Sequence, residues 1–166
     1  MKIIASLIFV LFLASATSAY GQVWREIKPI ESTGEDVRRL LGDKVNCWLG
    51  RCEYKLPKGG TVYFEFSLGT CKDKPAGAVT EIMVFPGPAY NLFISDLNID
   101  ESKLIPGDPG DQLNIDVYES RELGIKIEAG KDKRVVTLKY FPAAKYDTIL
   151  CSPASEAKPK PPVVRK

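Results

Sequence analysis

The sequence predicts an α+β domain in which a short N-terminal helix packs on an antiparallel β-sheet. One segment near residues 33–41 has the 3.6-residue apolar period of a helix, and several later segments alternate apolar and polar residues with a period of two. Gly, Pro and Lys-Asp turns separate these later segments, and such short connections favour antiparallel pairing. We expect one domain over residues 20–151 of the 166-residue chain.

The first nineteen residues have the composition of a secretory signal peptide. Lys2 precedes an apolar run from Ile3 to Ala14, and small residues follow up to Ala19. The run is shorter than the roughly 20 residues that a membrane-spanning helix needs. We therefore expect residues 1–19 to be cleaved and the mature chain to have no transmembrane segment. Tyr20 follows the cleavage site where a lipoprotein has cysteine, so the predicted location is periplasmic or extracellular, without a lipid anchor.

A helix is predicted from Thr33 to Leu41. Ser32 and Glu35 have the spacing of a capping box, in which each side chain bonds the backbone N–H of the other residue. The apolar residues Val37, Leu40 and Leu41 then share one face, and Gly42 supplies the left-handed conformation that ends many helices.

Strands are predicted after the helix. In residues 61–66, Val62, Phe64 and Phe66 alternate with more polar residues, as in a half-buried strand. Further strands are predicted at Arg51–Leu56, Val79–Phe85, Leu92–Ser95, Leu113–Tyr118, Gly124–Glu128 and Arg134–Phe141.

Two segments of similar sequence lie 56 residues apart. Val79–Pro86 and Val135–Pro142 align without gaps, and a hairpin pattern precedes each. The similarity has two explanations, two degenerate repeats of a hairpin-plus-strand unit or chance likeness between amphipathic strands, and the sequence does not decide between them.

Four cysteines in an exported chain predict two disulfides. Among the three pairings we expect Cys47–Cys52, which a turn can close, and Cys71–Cys151, which encloses the strand-rich half. Zinc is the competing interpretation, but the spacing lacks the paired C-x-x-C motifs of structural zinc sites. We therefore predict no metal.

Composition argues against several function classes. The chain has no histidine, which excludes the Ser-His-Asp and Cys-His types of catalysis. A net charge of +2 provides no basis for binding nucleic acid. No cofactor motif is present. A hydrolase that uses paired carboxylates stays open as an alternative, because such a pair is defined by spatial separation.

One segment has positive functional character, the predicted ring Cys47–Cys52. It contains Trp48 and Arg51, residue types that dominate binding hot spots. In one interpretation the ring presents both residues to a partner. In the other, Trp48 folds inward and covers one end of the sheet.

Residues 152–166 form a tail rich in Pro and Lys. The tail has too little apolar content to fold, and we expect an extended, disordered segment.

The stretch from Trp24 through Ser32-Thr33-Gly34-Glu35 to Leu40-Leu41-Gly42 resembles the opening of BamE/SmpA-like and β-lactamase-inhibitor-like modules of bacterial envelopes. The resemblance covers about residues 24–85 and implies a short capped helix before antiparallel strands. The stretch is also similar to an uncharacterised family of exported bacterial proteins. The matching positions form the helix, so the resemblance implies no site residue.

The sequence thus predicts a non-enzymatic binding or scaffolding protein of the bacterial cell envelope. Its expected partner is another envelope or extracellular protein. The oligomeric state is not predicted.

Overall fold

The computed structural model describes residues 24–69, 76–109 and 114–146. The predicted signal segment 1–19, the predicted tail 152–166, and both Cys71 and Cys151 lie outside these residues. Within the described ranges, no helix is long and apolar enough to cross a membrane.

Helix α1, Gly34–Leu41, begins one residue later than its predicted start, and its capping box involves different residues. The Thr33 hydroxyl accepts a hydrogen bond from the Asp36 N–H, and the Asp36 carboxylate accepts one from the Thr33 N–H at 2.9 Å. The box predicted for Ser32 and Glu35 is therefore wrong. The buried Ser32 hydroxyl instead accepts from the Lys28 N–H at 3.0 Å, which closes the turn before the helix.

The end and the buried face of α1 agree with the prediction. Val37 is fully buried, while Leu40 and Leu41 pack against the same core. Gly42 has φ +66°, a conformation that costs glycine little, and its N–H bonds the Arg38 carbonyl.

The described part of the chain contains eight strands, which form one antiparallel sheet. In the sheet the strands follow the order β1-β2-β3-β4-β8-β7-β6-β5, so that two four-strand meanders meet where their last strands, β4 and β8, pair. The strands are β1 (Val45–Trp48), β2 (Arg51–Lys55), β3 (Gly60–Phe66), β4 (Val79–Pro86), β5 (Ile105–Pro106), β6 (Ile115–Ser120), β7 (Ile125–Gly130) and β8 (Val135–Tyr140).

Three differences from the predicted strands concern short elements. β1 and β5 were not predicted, because two to four residues carry no clear period. The strand predicted at Leu92–Ser95 is wrong. Phe93 makes a single bridge to Arg134, and a 3-10 helix over Ile94–Leu97 follows, started by a hydrogen bond from the Phe93 N–H to the Asp96 carboxylate at 2.9 Å.

The two similar segments of the sequence occupy matching places in the sheet. β4 and β8 are each the last strand of a meander, and they pair with each other at the centre. This topology is compatible with the repeat and with chance likeness, so the repeat stays a prediction.

One face of the sheet carries the hydrophobic core. Phe64 and Ile82 project from the central strands of this face, and Val37, Ile27 and Ile94 join the same buried cluster from the helix and the connecting segments. The described residues form a single hydrophobic cluster, and it lies on this face. The alternate side chains of the strands form the opposite face, here called the open face. By strand register the open face includes Trp48, Arg51, Glu53, Tyr63, Glu65, Glu81, Met83, Phe85, Glu119, Lys126 and Lys139.

The capping box predicts a pH-dependent contribution to stability. Hydrogen bonds from Arg39 and Thr33 lower the pKa of Asp36 to about 2. Because this pKa lies below that of an unfolded aspartate, about 3.9, the carboxylate stabilises the fold fully above about pH 4 and this contribution is lost as pH falls towards 2.

We therefore expect Asp36→Asn to lower the free energy of unfolding by about 1 kcal/mol at pH 7. Urea denaturation of the variant and the wild type should give a difference that closes as pH falls towards 2. Glu35→Gln, in the same turn but outside the box, is the matched control and should change stability little. A difference that stays constant over this pH range would contradict the role of Asp36.

Candidate functional site

The hairpin of β1 and β2 confirms the predicted Cys47–Cys52 disulfide. The two cysteines are direct partners in the strand register, and their Cα atoms lie 4.1 Å apart. Leu49 and Gly50 form a two-residue connection, in which Gly50 has φ +74°. The predicted ring is therefore a β-hairpin whose strands the disulfide joins near the tip.

Trp48 lies at the tip of this hairpin and faces solvent. It is 46% exposed and is not one of the buried residues of the core. Leu49 beside it is 89% exposed, and Leu68, which approaches Gly50, is 66% exposed. These three side chains form an exposed apolar patch, here called the hairpin patch. Large apolar residues exposed close together are typical of an interaction surface.

Arg51 is held on the open face next to Trp48, its direct partner in the strand register. The Arg51 Nε donates to the Glu65 carboxylate at 2.5 Å, and the guanidinium carbon lies 5.0 Å from the centre of the Tyr63 ring. The hydrogen bond to Glu65 raises the pKa of Arg51. An ion pair with this exposure adds little stability. Its effect is to fix the orientation of the guanidinium.

A groove of about 510 Å³ separates the hairpin from the start of α1. Gly34 approaches the Phe66 ring on one side, and the hairpin patch borders the other. The groove is lined by Thr33, Gly34, Glu35, Arg38, Cys47, Trp48, Gly50, Cys52, Phe66, Ser67, Leu68, Ala76 and Gly77.

Two pairs of like charges lie side by side on the open face. Glu65 of β3 is the direct partner of Glu81 of β4, and Lys126 of β7 is the direct partner of Lys139 of β8. Like charges in directly opposite positions destabilise a sheet. Arg51 neutralises Glu65 in the first pair. Strand register creates both pairs, so the sequence offered no signal for them.

A second polar cluster lies near the other edge of the sheet. The Lys133 ammonium donates to the Tyr118 hydroxyl and lies 4.6 Å from the centre of the same ring. The hydrogen bond to Tyr118 raises the pKa of Lys133. Both residues line a cavity of about 410 Å³, together with Glu101 and Phe93. Three separate segments contribute to this cluster, which is why sequence patterns did not predict it.

Residues 24–69, 76–109 and 114–146 contain no group of three His, Cys, Asp or Glu side chains placed to bind a metal ion. Of the four predicted disulfide cysteines, the structure brings together Cys47 and Cys52. Trp48 and Arg51, the predicted partner-binding residues, are neighbours on one surface.

The comparisons with known proteins provide one structural match. No protein-family model matches the chain, and neither does any curated protein. A solved structure of a DUF4309 family protein (YjgB) from Bacillus subtilis subsp. subtilis str. 168 is similar, with a TM-score of 0.45 and 15% sequence identity. The match covers 75% of this chain and 90% of that one. None of these comparisons supports the resemblance of residues 24–85 to BamE/SmpA-like modules.

The disulfide should contribute measurably to stability. A double variant, Cys47→Ala with Cys52→Ala, should lower the free energy of unfolding by about 2 kcal/mol, because the bond closes a loop of six residues in the unfolded chain. Urea denaturation measures the difference. A loss below about 0.5 kcal/mol would contradict this role, since it would match an ordinary surface substitution.

Proposed function

We propose that the protein is an exported, non-enzymatic binding or scaffolding module of the bacterial cell envelope. It binds another envelope or extracellular protein through the hairpin patch and Arg51. The observation that carries the proposal is the exposed Trp48 beside an Arg51 whose orientation is already fixed.

The proposal is supported by the rigidity of these side chains. Trp and Arg are enriched among the residues that contribute most to binding. A partner that binds a mobile loop must order it, which weakens binding. Here the Cys47–Cys52 bond constrains the backbone, and Glu65 and Tyr63 constrain Arg51, so little ordering is left for the moment of binding.

Two observations support an exported location. A disulfide is typical of proteins in oxidising compartments, and the structure contains Cys47–Cys52. The N-terminal segment has the pattern of a secretory signal.

Substitution of the two hairpin residues tests the proposal. The mature wild type, coupled to a resin, should retain a defined set of proteins from envelope extract. Trp48→Ala with Arg51→Ala should lose at least about tenfold in retention, since hot-spot truncations cost 2 kcal/mol or more.

The matched control is Ile105→Ala. Ile105 is 68% exposed and lies at the opposite edge of the sheet, so its loss removes comparable apolar surface without touching the hairpin. Equal retention by the wild type and the double variant would show that the hairpin does not recognise a partner.

A hydrolase that acts on cell-wall or extracellular polymer is the second candidate. The observation in its favour is the direct pairing of Glu65 with Glu81 on the open face. Directly opposite side chains have Cβ atoms about 5 Å apart, and retaining glycosidases separate their two carboxyl groups by about the same distance.

This alternative predicts turnover that depends on Glu81. Mature protein would release products from a panel of glycans and peptidoglycan, and Glu81→Gln would lower the rate by a factor of about 100. Glu119→Gln, on the same face but outside the pair, is the control. No turnover on any member of the panel would remove the hydrolase from consideration.

A further inference from the structure

The pair of Lys126 and Lys139 lies on the open face without a neutralising contact. Each ammonium belongs to a partly buried side chain, and the two residues are direct partners between β7 and β8. Neither forms a salt bridge within the described part of the chain. By contrast, Lys55, Lys103 and Lys131 each pair with a carboxylate.

The neighbours in the same row of the sheet do not remove the repulsion. Met83 is the direct partner of Lys139 on its other side and is apolar. Glu119 is the direct partner of Lys126 on its other side, but no ion pair within 4.0 Å forms between them. Directly opposite like charges destabilise a sheet, and neither lysine forms an ion pair within 4.0 Å with a carboxylate of the described residues. Such a cost is typical of a binding surface, where stability is lost for function.

The lysine pair lies within reach of a partner that also contacts the hairpin patch. Four strand spacings separate β1 from β8, about 19 Å at 4.7–4.9 Å each. An interface of standard size, about 800 Å² per partner, is wide enough to span this distance. Tyr63, Met83 and Phe85 lie on the open face between them, and Phe85 is 37% exposed.

We propose that the partner is a folded protein whose acidic patch lies over Lys126 and Lys139 while another part of its surface contacts the hairpin. This inference rests on the proposed function and specifies the chemistry of the partner. Glu81 lies one strand and Glu65 two strands from Lys139, and both disfavour a uniformly anionic polymer, because they would repel its charges. A protein surface that carries both signs of charge can place acidic groups over the two lysines and basic groups over Glu65 and Glu81.

Titration of the mature, isotope-labelled protein with tetraglutamate tests the charge recognition by NMR. At low salt, the peptide should shift the amide signals of Lys126, Lys139 and their neighbours, and added salt should abolish the shifts. Lys126→Gln with Lys139→Gln should weaken binding about tenfold, since two exposed ion pairs are lost. Lys55→Gln with Lys131→Gln removes the same charge from lysines that already have partners and should leave binding unchanged.

Pyrophosphate is the comparison ligand in the same titration. If pyrophosphate binds the two lysines and tetraglutamate does not, the site recognises phosphate and the proposal is wrong. The proposal is also wrong if neither ligand binds. It is wrong as well if the Lys126/Lys139 variant and the Lys55/Lys131 control weaken tetraglutamate binding equally. Lys126→Gln with Lys139→Gln should not lower the melting temperature, because it relieves repulsion, so a loss of binding in this variant is not caused by unfolding.

A capture experiment separates this inference from the proposed function. Proteins retained from envelope extract in a Trp48-dependent manner should also be lost from the Lys126→Gln, Lys139→Gln variant. Retention that needs Trp48 but not the lysines would contradict the inference and leave the proposed function standing. Retention that needs neither Trp48 nor the two lysines would contradict both the inference and the proposed function.

Discussion

The antiparallel pairing of β4 with β8 is the contact on which the rest of the structure depends. It joins two four-strand meanders that have no other strand pairing between them. Ile82 lies opposite Tyr140 and Val84 opposite Leu138, and all four side chains are buried. Burial of each such side chain is worth roughly 1.5–3 kcal/mol. Burial also raises the pKa of Tyr140 to about 12, so the phenol stays neutral in the core.

The same pairing determines what the open face presents. Because strand side chains alternate, the register that buries Leu138 and Ile82 places Lys139 beside Met83 on the other face. The β7–β8 register then brings Lys126 opposite Lys139. A slip by one residue would exchange the two faces, so the core specifies the pattern of charges that a partner meets.

The hairpin at one edge combines two constraints that act on different groups. The Cys47–Cys52 bond restricts the backbone of β1, an edge strand with a single neighbour. The contacts of Arg51 with Glu65 and Tyr63 restrict a side chain. Both constraints lower the entropy that binding would otherwise remove. They explain how an exposed Trp48 and Arg51 are presented in one arrangement.

The sequence alone determined the α+β class, the end of the helix at Gly42 and most of the longer strands, because apolar periods and glycine conformations are local properties. It also indicated the Cys47–Cys52 pairing, because five residues of separation keep the two thiols close. The tertiary structure decided the cap, since Ser32 bonds the turn before the helix and leaves Thr33 as the cap. It also decided the exposure of Trp48 and the pairing of Lys126 with Lys139. These depend on strand order and register, which arise from contacts between residues far apart in the chain.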